Sequence, residues 1–216
     1  MASVKDRLNY QKRTNPNPLQ RWLLKRFERV WLRLAKEALN GKAAAQVLDA
    51  GCGEAFDLAT LRRELPQATL HGVDADATVL NYARTQGTGA HLVQADVTHL
   101  PFSDQRFDLV LCLEVLEHLP HPEEALRELA RVSRGLLLLS VPHQPYFSLA
   151  NFLRGKNWGT WGEDPEHRHH WRASQFPTAL GGQAPWVHTK TVLYSFPWMV
   201  VLASVDRETP PADQPA

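Results

Sequence analysis

The sequence predicts an α/β fold: a seven-stranded, mostly parallel sheet with helices on both faces, closed by a C-terminal antiparallel hairpin. Three observations carry this expectation. Short apolar runs alternate with helical patterns between residues 45 and 134. The run Gly135–Val141 is almost continuously apolar after its glycine, broken only by Ser140, as expected of a strand buried on both faces. Trp186–Tyr194 and Met199–Val205, separated by a few residues, read as a hairpin. At 216 residues one domain with an elaborated end is expected.

In chain order, residues 1–17 are polar and lead into Asn15-Pro16-Asn17-Pro18. Asn17 suits a helix N-cap and Pro18 the first helical position. Leu19, Trp22, Leu23, Phe27, Val30, Trp31, Leu34 and Ala38 then recur at helical spacing and predict one apolar stripe. Arg21, Lys25, Arg29, Arg33 and Lys36 lie opposite, and Asn40-Gly41 ends the helix. Strands are predicted at Ala45–Ala50, Thr69–Val73, His91–Ala95, Phe107–Leu113 and Gly135–Val141. Helices are predicted near Phe56–Arg63, Ala77–Thr85 and Pro122–Arg134, the last opened by Pro122. This rhythm implies parallel strands joined by helical crossovers. Ala173–Leu180 reads as a short helix stopped by Gly181-Gly182. Arg207–Ala216 holds three prolines and reads as a disordered tail.

Charge is balanced overall, at net +1, which gives no global argument for nucleic acid. Its distribution is uneven. Residues 1–42 hold eleven Lys/Arg against three Asp/Glu, and residues 43–216 hold thirteen against twenty. The two cysteines, Cys52 and Cys112, suggest no disulfide framework and fit a reduced, cytoplasmic setting. The N-terminus shows no apolar signal region, and no apolar run is long enough to span a bilayer. No internal repeat is found.

The most informative stretch is Val47-Leu48-Asp49-Ala50-Gly51-Cys52-Gly53-Glu54. An apolar run ends in an acid, two glycines follow one residue apart, and a helix begins. Such a turn brings a nucleotide-bearing cofactor to a helix start. Further motifs follow in order: His71-Gly72-Val73-Asp74, Gln94-Ala95-Asp96-Val97, and Phe107-Asp108-Leu109-Val110 with Glu114-Val115-Leu116-Glu117-His118-Leu119. With all four in place at strand ends, residues 43–142 closely resemble the class I S-adenosylmethionine-dependent methyltransferases, in the type 11-like group with small-molecule acceptors. The resemblance extends more loosely to about residue 205.

It implies a Rossmann-like sheet and S-adenosylmethionine as cofactor. On this resemblance Asp74 accepts the ribose hydroxyls and Asp96 the adenine amino group, with Ala75 and Val97 on the ring's faces. Asp49, Gly51, Cys52 and Gly53 serve the amino-acid end, with Cys52 a small packed residue rather than a nucleophile. Glu114 lies on the sulfonium side. A nicotinamide dinucleotide fits less well, because Phe56 stands where its fingerprint wants a third glycine.

The segment after the fifth strand is expected to border the acceptor. It holds Tyr146, Phe147, Trp158, Trp161 and Trp171, which could wall an apolar ligand. His143, His167 and His170 are candidate general bases. His167 or Trp171 could equally anchor a lid, and in-line positioning could suffice without any base. His167, His169, His170 and Asp164 match no specific zinc spacing, so no metal is expected.

The chain divides into residues 1–42 as a basic helical cap and residues 43–206 as the methyltransferase domain, with an acceptor lid near 142–172. Residues 207–216 form the tail. The basic helix either packs with a solvated cationic face or offers a surface for anionic lipid or a lipid-like acceptor. Tyr10, Lys12 and Arg13 would reach the cofactor's carboxylate if their segment folded over the pocket. The expected function is methyl transfer to oxygen, nitrogen or carbon of a small or lipid-like molecule. The alternatives are a non-catalytic cofactor-binding module and, more remotely, a nucleic-acid methyltransferase. The latter's Asn-Pro-Pro-Tyr type motif is replaced here by Glu114-Val115-Leu116-Glu117.

Overall fold

A computed structural model of the protein describes residues 4, 8–143, 148, 168–169, 171 and 175–206. Two helices lead, α1 (Leu8–Thr14) and α2 (Pro18–Leu39). Then come β1 (Gln46–Ala50), α3 (Phe56–Glu64), β2 (Thr69–Asp74), α4 (Ala77–Thr85), β3 (His91–Gln94) and β4 (Leu109–Leu113). A 3-10 turn (Leu116–His118) precedes α5 (Pro122–Val132), β5 (Leu136–Pro142), α6 (Phe176–Gln183), β6 (Val187–Ser195) and β7 (Trp198–Val205).

The seven strands form one sheet in the order β3-β2-β1-β4-β5-β7-β6. The first five are parallel, and β7 runs antiparallel between β5 and β6. This is the predicted Rossmann-like architecture with its closing hairpin. The chain winds outward from β1 to β3, then returns to place β4 on β1's other side. That reversal opens a crevice at the carboxyl ends of β1 and β4, where ligands bind in such sheets.

Successive side chains of a strand face opposite sides, so each strand feeds two cores. Leu48, Val110, Leu137 and Leu139 pack with α5 residues Leu126 and Leu129 and with Trp171 and Phe176. Val47, Leu109, Leu111 and Leu138 pack with Phe27, Trp31 and Leu34 of α2 and with Leu58 and Leu61 of α3. Helix α2 is therefore core structure, with Trp31 and Leu34 fully buried.

Its ends follow the sequence. The Asn17 side chain accepts hydrogen bonds from the amides of Leu19 and Gln20 at 2.9 and 3.2 Å, and Asn40 caps the C-terminus in the left-handed region.

Several expectations are corrected. Leu19 and Trp22 are exposed, because the buried stripe centres on Leu23, Phe27, Trp31 and Leu34. Gln20 is buried instead, with its amide donating to the Lys12 carbonyl at 2.6 Å. Residues 8–14 form a helix where only a polar lead-in was expected. Helix α6 begins at Phe176 and runs through Gly181 and Gly182 to Gln183, so the glycines do not stop it. Burial of Phe176 and Leu180 outweighs the roughly 1 kcal/mol that each helical glycine costs. Phe107 makes only an isolated bridge to Ser133, and β4 begins at Leu109. Residues 207–216 lie outside the described residues.

Candidate cofactor and acceptor site

The turn after β1 is held from below. The amides of Gly51 and Cys52 both donate to the Val73 carbonyl at 2.8 Å, tying the end of β1 to the end of β2. Gly51 has φ +83°, and a Cβ there would lie 2.4 Å from Val115 Cγ2. The close approach that requires this glycine is thus made by the protein's own valine. Gly53 has φ +50°, and a Cβ there would meet Asn9 Nδ2 at 3.3 Å. Cys52 is buried, and burial, then the charges of Asp49 and Asp74, push its thiol up and keep it protonated.

Carboxylates line the strand ends around this turn. Asp74 closes β2, with Oδ2 accepting from the Gly53 amide and Oδ1 from the Asp76 amide, both at 2.9 Å. Each oxygen keeps a second lone pair. Asp49 is 2 % exposed, and its Oδ2 has no hydrogen-bond partner among the described residues. Burial raises its pKa well above the ordinary carboxylate value. The charges of Asp57 and Asp74 add to the rise and Arg13 opposes it.

Glu114 follows β4 with φ +59°, a left-handed conformation that costs a non-glycine residue roughly 1–2 kcal/mol. Its amide donates to the Ser140 carbonyl at 3.2 Å, and the Ser140 hydroxyl donates to its Oε1 at 3.1 Å. Burial raises the pKa of Glu114, while nearby Lys12 pulls it down.

On the far side, Asp96 Oδ1 accepts from the amide and the hydroxyl of Thr98 at 2.9 and 2.8 Å. The amide bond leads in holding this carboxyl below its usual range. Val97 is buried beside it and Ala75 is exposed.

Helix α1 lies over this rim. Asn9 Nδ2 donates to Glu54 Oε2. Arg13 pairs with Asp57 at 2.6 Å, and Lys12 reaches Glu114 at 3.6 Å. The Lys12 ammonium also stands 4.9 Å above the Trp198 ring, and Tyr10 meets Tyr82 edge-on at 5.5 Å. Sequence reasoning singled out Tyr10, Lys12 and Arg13 but missed Asn9, Glu54, Asp57 and Trp198. The one sequence signal for Asp57 was its place in the first turn of the helix after the glycines, where acids favour the helix dipole.

On the acceptor side, the His143 amide donates to the Pro197 carbonyl at 2.9 Å, and its ring packs 5.5 Å from Tyr194. Burial lowers its pKa, favouring the neutral imidazole that a base requires. His167, His170, Asp164, Trp158 and Trp161 lie outside the described residues. The amides of Arg168 and His169 donate to the Glu117 carbonyl at 2.8 and 3.2 Å. Trp171 stacks on His169 at 5.2 Å and is buried against Phe176. The described part of this segment is thus anchored just beyond β4. Among the described residues no group of three His, Cys, Asp or Glu could hold a metal ion, and no helix is long and apolar enough to cross a membrane.

The fold and rim together define a Rossmann-like domain suited to a cationic nucleoside cofactor. A pyrophosphate would be disfavoured beside Asp49 and Asp74, which form no ion pair among the described residues.

Comparison with known proteins points to the same chemistry. Residues 48–138 match the family model described as a methyltransferase domain. A protein named "Probable S-adenosylmethionine-dependent methyltransferase" from Mycobacterium tuberculosis is 33% identical over 139 residues, covering 63% of this chain and 48% of that protein. A fatty-acid O-methyltransferase of Mycolicibacterium smegmatis is 33% identical over 123 residues, covering 56% and 44%. This chain spans about half the length of such curated relatives.

Among solved structures, magnesium protoporphyrin IX methyltransferase from Synechocystis with bound SAH superposes with a TM-score of 0.68. It is 18% identical, covering 91% of this chain and 92% of that one. The plantazolicin methyltransferase complex also reaches 0.68 at 17% identity, covering 92% and 89%. Residues 48–138 thus form a methyltransferase domain similar to those of S-adenosylmethionine-dependent enzymes.

Proposed function

We propose that this protein transfers the methyl group of S-adenosylmethionine to oxygen, nitrogen or carbon of a small-molecule or lipid-like acceptor. The observation that carries the reading is the acidic strand-end rim, with Asp74 braced by two backbone amides and Asp49 buried with an unpartnered oxygen.

Asp74 would hold the ribose hydroxyls, and Asp96 the adenine amino group through its second oxygen. Ala75 and Val97 would flank the adenine. Asp49, with the turn Gly51, Cys52 and Gly53, would face the amino-acid end, and Glu114 the sulfonium side. Arg13 and Lys12 would exchange their present acids for the cofactor's carboxylate. Relatives named for fatty-acid and ubiquinone-pathway O-methylation support an acceptor with apolar character.

The bound cofactor supplies a methyl group already activated on sulfur. The protein's task is then to hold the acceptor lone pair in line and exclude water, which can contribute roughly 7–11 kcal/mol. An acceptor hydroxyl or amine must also lose a proton. His143 in its neutral form could take it, as could His167 or His170, typically contributing about 10²–10⁴-fold. The segment at about 142–172 would cover the acceptor and residues 1–42 the cofactor. A cytoplasmic setting belongs to the same reading, supported by two free buried thiols.

Calorimetry with S-adenosylmethionine and its demethylated product tests the cofactor role. Binding is expected, with Asp74→Ala weakening it tenfold or more, about 1.4 kcal/mol. An unchanged affinity would remove Asp74 from this role. Turnover is then read as demethylated product across a panel of fatty-acid, phenolic and amine acceptors, comparing wild type with His143→Ala, His167→Ala and His170→Ala. Tight cofactor binding with no turnover on any acceptor would favour the non-catalytic module.

A further inference from the structure

The outer face of α2 joins two properties that a solvated helix face does not need together. Away from the buried Phe27 and Trp31 it presents the exposed Trp22, Lys25 and Arg29, with the half-buried Arg26 at the flank and Leu19 one turn before Trp22. Further along, Arg33 pairs with Glu37 and Lys36 with Glu64. Lys25, Arg26 and Arg29 have no acidic partner within 4 Å among the described residues. The Arg26 guanidinium instead lies 5.7 Å from the centre of the Trp22 ring.

The second observation is where exposed apolar bulk collects. Among the described residues the large apolar side chains left exposed are Leu19 (54%), Trp22 (51%), Tyr194 (52%) and Phe196 (42%). All four lie toward one end of the molecule. Tyr194 and Phe196 sit at the β6–β7 turn, and Trp198 just beyond it pairs with Pro142 at the carboxyl end of β5. The first half of α2 reaches the same place, since the rings of Phe27 and Trp198 are 5.0 Å apart. This is also the end where α1 covers the cofactor rim.

We propose that this end docks on an anionic lipid bilayer, with Trp22, Leu19 and Phe196 entering the interface and Lys25, Arg26 and Arg29 meeting the phosphate headgroups. Tryptophan and tyrosine favour the headgroup level, and exposed cations beside them add attraction to anionic lipid. The face combines positive charge with apolar bulk, and that pairing selects a negatively charged amphipathic surface over a purely polar polyanion. Docking through this face and the β6–β7 turn would bring the sheet's ligand end close to the bilayer, shortening the path of an acceptor with an apolar tail. That consequence rests on the methyl-transfer reading, whereas the docking does not.

Co-sedimentation with phosphatidylcholine vesicles, with and without phosphatidylglycerol, tests it without cofactor or acceptor. Binding is expected only to the anionic vesicles and should fall at high salt. Replacing Lys25, Arg26 and Arg29 together with alanine should weaken partitioning about a hundredfold, at roughly fivefold per charge. Trp22→Ser should weaken it with the charges intact. Because these side chains are on the surface, far-UV circular dichroism and S-adenosylmethionine calorimetry should match wild type. Equal binding to neutral vesicles, or undiminished binding by the triple variant, overturns the proposal. So does a charge-dependent shift of RNA, or a dimer broken by Trp22→Ser, in a protein that ignores anionic vesicles.

Discussion

Helix α1 sets its cations against carboxylates, Arg13 on Asp57 and Lys12 on Glu114, whereas α2 holds Lys25, Arg26 and Arg29 outward. Both come from the same basic stretch of chain, and both lie on the sheet domain. They differ in what they cross. Helix α1 passes over the strand ends, where acids gather, and its polar groups must find partners as they leave water. Helix α2 lies along a sheet face lined by Val47, Leu109 and Leu138, so it buries its apolar stripe and, among its polar residues, Gln20. The charge of Lys25, Arg26 and Arg29 is left to solvent, or to whatever binds there. Positive charge in a sequence thus says little about its use until the surface beneath each helix is known.

Two tryptophans on α2 give the largest contrast. Trp31→Ala should destabilise by about 3–5 kcal/mol, because the ring is fully buried. Trp22→Ala should change stability by no more than about 0.5 kcal/mol. Urea unfolding compares them directly, and equal losses would mean that Trp22 is covered.

Next is the turn beneath α1. Gly51→Ala should cost about 2–4 kcal/mol, combining left-handed strain with overlap on Val115. A second change, Val115→Ala, should restore the overlap part and leave the strain. If no recovery appears in thermal unfolding, the close approach at Gly51 has another cause.

Removing the α1 anchor is a smaller, local effect. Arg13→Ala should loosen α1 by about 1–2 kcal/mol, the worth of a charge-assisted hydrogen bond in a half-buried place. Hydrogen exchange should then speed at the amides of residues 8–14 and stay unchanged in α2. Acceleration in both would show that the helices move as one unit.

The smallest effect is on pH dependence. The folded pKa of Asp49 is raised, so the folded protein holds this proton more tightly than the unfolded chain does. Its contribution is fully present below the unfolded value of about 4 and is lost as pH rises through the folded value. Asp49→Asn should therefore flatten that part of the pH profile and raise the cofactor-free melting temperature at neutral pH. It should also weaken S-adenosylmethionine binding. A lower melting temperature at neutral pH would show that the charged form is stabilised in the fold.

Much of the sheet was legible because strands and crossover helices write local periodic patterns. Apolar runs marked β1, β2, β4 and β5, and Ala77–Thr85 was located to the residue. Helix α1 was not legible, because its seven residues carry no strong apolar period and are held by partners 40 or more positions away, such as Glu54 and Asp57. The stop at Gly181-Gly182 failed for a related reason, since core burial overrode a local preference. Of the candidate site, the strand-end acids and the glycine turn could be read as a set of residues. Their mutual bonds, and the covering helix, could not.

By itself the sequence determined the order of elements, the glycine turn at Val47–Glu54 and the acids at the ends of β1, β2 and β4, because each depends on residues near in the chain. Only the tertiary structure decided that Asp49 Oδ2 has no partner among the described residues, that Val115 fills the space at Gly51, and that Lys12 and Arg13 rest on the acidic rim while Arg26 and Arg29 do not. Those features arise where distant segments meet, and there burial and local dielectric set whether a charge is matched, shifted or left exposed.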